Sequence, residues 1–134
     1  MNLPCYAMSA YARVALETMD PRELEASLLL KAAAKLQAVL DEWEQKPRQA
    51  LSDALLFNRR LWIIFIDAVI RDANKLALAV RQNILNLGIF VMAETFSLMT
   101  APKQSHLENL IRINRAIASG LGSKTGTSQP QRAA

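Results

Sequence analysis

Cysteine is nearly absent: Cys5 is the only one in 134 residues. No internal disulfide can form, and a reducing compartment is the simplest setting. Histidine is just as scarce, with His106 alone. Together they cannot build a zinc site, and no metal-ligand spacing appears elsewhere. Cys5 reads as a bystander thiol, and His106 as a solvated residue in a first helical turn. No nucleophile elbow, phosphate-cradling glycine loop or dinucleotide fingerprint is present. The acidic pair Asp41 and Glu42 sits beside Trp43 and Glu44 at the end of a helical pattern, which suits a solvated terminus better than a catalytic dyad. The expectation is a protein that is not an enzyme and uses no cofactor or metal.

Charge and long apolar runs are also modest. The net charge is +4, but Lys124 and Arg132 lie in the C-terminal stretch, and the charges of the body alternate in sign. No basic block of the kind that announces nucleic acid is present. The strongest apolar run, Leu61 to Ile66, is cut by Asp67, far short of the roughly 20 residues a bilayer requires. The longer stretch from Ile84 to Ala101 contains Asn86 and Glu94. Arg13 and Glu17 occupy the region where a signal peptide would be apolar, so neither secretion nor membrane insertion is expected.

Alanine and leucine dominate, whereas the chain has only 4 glycines and 5 prolines. That composition favours an all-α fold, a compact bundle of four to five helices with short loops. The length suits one domain with its own core. The expected organisation is a flexible leader over 1–5, a single helical domain over 6–120 and a disordered tail over 121–134, rich in Gly, Ser, Thr and Gln.

The first helix is expected over 6–18, with Tyr6 and Tyr11 more suited to core than to contact. Asp20-Pro21-Arg22-Glu23 marks the next start: Asp20 can cap, Pro21 suits the first turn, and Glu23 completes a capping box. Leu24, Leu28, Leu29, Ala32, Leu36, Val39, Leu40 and Trp43 carry the helical repeat toward Lys46, and Pro47 ends it. A helix over 50–71 follows, with Asp53, Arg60, Asp67 and Arg71 on one polar line. The helix over 77–99 has a thin polar line of Asn83, Asn86, Glu94 and Ser97. Gly88 lies inside it, where glycine costs about 1 kcal/mol relative to alanine; a close helix–helix contact would account for it. Ser105-His106-Leu107-Glu108 reads as another capping box, opening a helix to about Ser119 that turns Leu107, Leu110, Ile111, Asn114 and Ile117 inward. Gly120 fits its end.

The two central helices are apolar almost all round, so each must be buried or must meet a partner. An Asn/Arg cluster precedes each apolar run. Asn58, Arg59, Arg60, Trp62, Arg81, Asn83 and Asn86 are therefore the candidate partner-binding residues, with Trp and Arg as anchors. The competing reading is internal. On it, Arg60 pairs with Asp53 or Asp67, Trp62 fills the core, and Asn83 and Asn86 bond across helices. Met92 and Met99 suit either an adaptable groove or core filling. The apolar surface also leaves a homodimer open.

Several strings together resemble the FlaF family of bacterial flagellar biosynthesis regulators. They are Pro21-Arg22-Glu23-Leu24-Glu25-Ala26 with Leu28-Leu29-Leu30-Lys31-Ala32-Ala33, and Leu55-Leu56-Phe57-Asn58-Arg59-Arg60-Leu61-Trp62. Further on come Arg81-Gln82-Asn83-Ile84, Asn86-Leu87-Gly88 with Phe90-Val91, and Ile113-Asn114-Arg115-Ala116-Ile117-Ala118-Ser119-Gly120-Leu121. Their order and spacing over roughly residues 6–121 carry the resemblance. It implies a cytoplasmic helper of flagellum assembly that promotes flagellin synthesis and export, with flagellin as partner in the manner of a secretion chaperone, acting opposite the translation repressor FlbT. The alternative is a post-transcriptional regulator acting through flagellin mRNA or the FlbT-type repressor without touching flagellin.

Overall fold

Proline at a first helical position, and prolines in the connections, set the frame of this chain. In the computed structural model, residues 21–71 and 76–124 are described. They form four α-helices: α1 (Pro21–Asp41), α2 (Arg48–Arg71), α3 (Leu78–Thr100) and α4 (Gln104–Lys124), with a short 3-10 turn at Trp43–Gln45 after α1. The expected helix over 6–18, with Tyr6, Tyr11 and Cys5 near it, lies outside the described residues.

Each helix packs on its chain neighbours, and the most extensive packing joins α1 to α4, closing the bundle into a ring. Short connections make successive helices antiparallel. The core runs along the common axis, with Leu29, Leu36, Trp62, Val91, Leu98, Leu107 and Leu110 essentially inaccessible. Trp62 and Phe65 meet edge to face, with ring centroids 5.4 Å apart. On the outer side of α1, Lys31 and Lys35 lie over the ring of Phe57 on α2, at 5.7 and 5.1 Å from its centre.

Three boundaries differ from the sequence expectation. First, α1 stops at Asp41 rather than near Lys46. The ring of Pro47 disfavours helical backbone at Lys46. Lys46 instead takes a left-handed conformation, with φ 50° and ψ 60°. The intervening residues tighten into the 3-10 turn, with Gln45 N–H donating to the Glu42 carbonyl at 2.9 Å. Pro47 then starts α2, since its carbonyl accepts from Leu51 N–H at 2.9 Å. Second, α4 begins at Gln104, so Ser105 lies inside the first turn and is not its cap. Third, α4 does not end at Gly120. It runs through both glycines to Lys124, and Gly120 keeps an ordinary negative φ. Leu121 explains this: it is buried in the core beside Ala118, and burying it requires one more helical turn. The helix therefore extends past residue 120, to Lys124.

Gly88 occupies the crossing of α3 and α2. A β-carbon there would strike the Ile66 side chain, coming within 3.1 Å of its Cγ1 and 3.8 Å of Trp62 Cε3. The absent side chain lets the two helices approach closely, which offsets the helix-propensity penalty.

By length and composition α3 is also apolar enough to cross a membrane, with a mean hydropathy of 1.3 over its most apolar window. This exceeds what the interrupted run suggests. A third of that window is buried in the bundle, where Ile84, Gly88, Val91, Thr95 and Leu98 pack.

Candidate functional site

The candidate residues divide between the interior and two different surfaces. Asn58 and Trp62 are inside, each 0 % exposed. They belong to a polar knot centred on Asn114 of α4. The Asn114 Oδ1 accepts from Trp62 Nε1 at 2.9 Å. Its Nδ2 donates to Asn58 Oδ1 at 2.7 Å and to the Leu29 carbonyl of α1 at 3.3 Å. One amide thus ties α1, α2 and α4 together in low dielectric, where such bonds are strong and their loss is costly. Asn58 Nδ2 has no hydrogen-bond partner among the described residues. Neither side chain is presented to a partner in this conformation: Trp62 fills the core, as the internal reading has it, and Asn58 bonds through its Oδ1 within the protein.

Arg59 and Arg60 point outward. The expected pairing of Arg60 with Asp53 or Asp67 does not form. Asp53 accepts from Gln49 at 2.9 Å, and Asp67 is held by Arg71 at 2.9 Å, one helical turn away. Neither Arg59 nor Arg60 makes an ion pair among the described residues. Arg81 is half-buried. The expected bonds of Asn83 and Asn86 across helices do not form among the described residues: both side chains are exposed and line a groove of about 820 Å³ between α3 and α4, with Leu87, Ala116 and Ile117. The seven candidates therefore do not form one site.

His106 is not the solvated residue its sequence position suggests. Its Nδ1 lies 2.8 Å from Glu94 Oε1, and Asn109 Nδ2 donates to the same oxygen at 3.1 Å. Arg112 continues the chain by donating to Asn109 Oδ1. Glu94 is buried on α3, and α4 supplies its partners. A buried carboxylate needs such bonds, so this cluster reads as a clasp between α3 and α4.

The surface that periodicity alone conceals lies on α2 and α3. Each helix carries two apolar stripes, offset by one residue. On α2 the inner stripe is Leu55, Asn58, Trp62, Phe65 and Val69, all buried. Adding one to each number gives Leu56, Arg59, Ile63, Ile66 and Ile70. On α3 the inner stripe is Ile84, Gly88, Val91, Thr95 and Leu98. Its offset copy is Leu85, Ile89, Met92, Phe96 and Met99. Both outer stripes repeat at the three- and four-residue steps of a helix-packing seam.

The bundle fills the inner seams and takes only Ile66, Leu85 and Met92 of the outer ones partly into its core. In the outer ones Ile63 is 50 %, Ile89 70 %, Phe96 67 % and Met99 60 % exposed. The close approach at Gly88 and Ile66 brings the outer stripes side by side. At one end they flank a groove of about 460 Å³, lined by Leu56 and Arg59 from α2 and by Thr95 and Met99 from α3. Arg59 sits in the outer stripe of α2 itself. Sequence reasoning found Arg59 and half found Met99, but missed Ile89 and Phe96. The usable signal was the doubled spacing, two seams on one helix where a four-helix bundle uses one.

Such a surface can hold an apolar helix face by area and shape; it has no evident covalent chemistry to offer. A model of the family described as flagellar protein FlaF matches residues 7–121. No curated protein and no solved structure matches the chain.

Proposed function

This chain belongs to the FlaF family of flagellar proteins, and we propose that it promotes flagellin synthesis and export by binding flagellin in the cytoplasm as a secretion chaperone. The reading is of a binding protein and regulator, without catalysis. One observation carries it: two adjacent helices present neighbouring, largely apolar stripes to solvent, with Ile63, Ile89, Phe96 and Met99 half or more exposed. Contiguous exposed apolar surface on a small helical protein marks an interaction site. An export client must be kept from self-association, and covering its apolar helix faces in a groove does so by helix-in-groove recognition.

The alternative, action through flagellin mRNA or an FlbT-type repressor without contact to flagellin, draws less support from the surface. Exposed arginines are spread over different helices, Arg59 and Arg60 on α2 and Arg112 and Arg115 on α4. The latter two donate to Asn109 and Gln37. Single-strand binding favours basic residues interleaved with aromatics in one groove.

Co-expression with the flagellin of the same genome, followed by size-exclusion chromatography with mass detection, tests the proposal. A co-eluting complex of defined stoichiometry supports it. Separate elution of a folded, helical protein rejects direct flagellin binding and moves the weight to the repressor or the messenger.

A further inference from the structure

The exposed seam has a sign as well as a shape. Arg59 stands within the α2 outer stripe, three residues after Leu56 and four before Ile63, and is exposed. It makes no ion pair among the described residues. Arg60 lies beside it, also without one, and Arg48 lines the same end of the groove. The carboxylate that borders this stripe, Asp67, is taken by Arg71. On α3, Glu94 faces away toward His106. The uncompensated charge of the seam is therefore positive, and it sits at the end formed by the first half of α2 and the last half of α3. The remainder, through Ile63, Ile70 and Ile89, is apolar.

We propose that this seam docks one amphipathic helix from a partner protein, with its apolar stripe laid along the α2–α3 cleft and a carboxylate against Arg59. Two outer stripes at coiled-coil spacing leave a groove that a third helix fills by knobs-into-holes packing. The charge distribution selects this occupant over a second copy of the chain. A twofold pairing through the same seam would bury Arg59 with no acid on the facing surface to meet it, and a buried unpaired charge is expensive. A helix carrying an acidic residue one or two turns from its apolar centre satisfies the site and fixes its direction in the groove. The proposal rests on the flagellin reading only for the choice of probe.

The test uses the full chain and two synthetic peptides, the N- and C-terminal helical segments of the cognate flagellin, titrated calorimetrically at low and moderate salt. One peptide is expected to bind at one to one, more weakly as salt rises. Arg59→Glu should lower that affinity about tenfold or more while leaving the melting temperature unchanged, because Arg59 is exposed and unpaired. Replacing the matching acid of the peptide by lysine should restore binding to Arg59→Glu. Phe96→Ser should abolish it. Binding that ignores both Arg59→Glu and Phe96→Ser overturns the docking inference and leaves the flagellin reading standing. No binding by intact flagellin or either peptide overturns both. A wild-type dimer that Phe96→Ser splits would identify a second copy as occupant. An intramolecular crosslink between Cys5 and a Phe96→Cys position would identify the chain's own N-terminal segment. Either result overturns the proposal.

Discussion

Two regions of the same helix invert the usual arrangement of polar and apolar groups. At Asn58, α2 places an amide in the centre of the core. Five residues later, at Ile63, it places a branched hydrocarbon in water. The interior accepts the polar group because Asn114 supplies partners from another helix. The surface keeps the apolar group although nothing in the fold uses it. The buried knot serves uniqueness: it sets the register of α1, α2 and α4 at one point, at some cost in stability. The exposed members of the outer seam, Ile63, Ile89, Phe96 and Met99, leave much of their apolar surface in water in the isolated bundle. The stripe that holds the fold and the stripe proposed to bind a partner lie one residue apart.

Breaking the interior should cost most. Trp62→Ala removes the largest fully buried side chain and one bond of the knot, and should destabilise the fold by about 3–5 kcal/mol in denaturant unfolding. Asn114→Ala strands the Trp62 Nε1–H and the Asn58 amide together. A loss of about 2–4 kcal/mol is expected, since each orphaned buried polar group costs about 1–3 kcal/mol. A smaller change would mean that water enters the site.

The clasp should rank next. His106→Ala leaves Glu94 with Asn109 alone, and a loss of about 1–2 kcal/mol is expected in thermal melts. Glu94→Gln should lose less, because a neutral amide is cheaper to bury and can still bond to Asn109. If both substitutions cost the same, the clasp holds by shape and not by charge.

Substitutions in the seam should have the smallest effect on folding and the largest on association. Ile63→Ser and Phe96→Ser should change stability by no more than about 0.5 kcal/mol, while weakening any flagellin complex. A variant that melts many degrees lower would place that residue in the core and erase the contrast with Asn58.

Much of this was legible in the sequence. The all-α class, the paired Asp67 and Arg71, the inward residues of α4 and the close contact at Gly88 all follow from spacing and side-chain size. The end of α1 was misplaced because its apolar repeat continues to Trp43, while the turn is dictated by what Pro47 forbids at Lys46. The end of α4 was misplaced because Gly120 is a good terminator locally, yet Leu121 has a core to enter. His106 was misread because its partner, Glu94, is twelve residues away on another helix, and no local pattern records that. The seam was hidden for a different reason. Two stripes offset by one residue make a helix look uniformly apolar, so periodicity cannot say which stripe faces in. Only the position of the neighbouring helices decides between Asn58 and Arg59, or between Thr95 and Phe96.

On the proposed reading, flagellin is held in the α2–α3 seam. Amide hydrogen exchange on the full chain, free and in complex with flagellin, addresses it directly. Added protection is expected in residues 56–70 of α2 and 85–99 of α3, with α1 and α4 little changed. Protection falling instead on α1, or on the groove around Asn83 and Ala116, would contradict it.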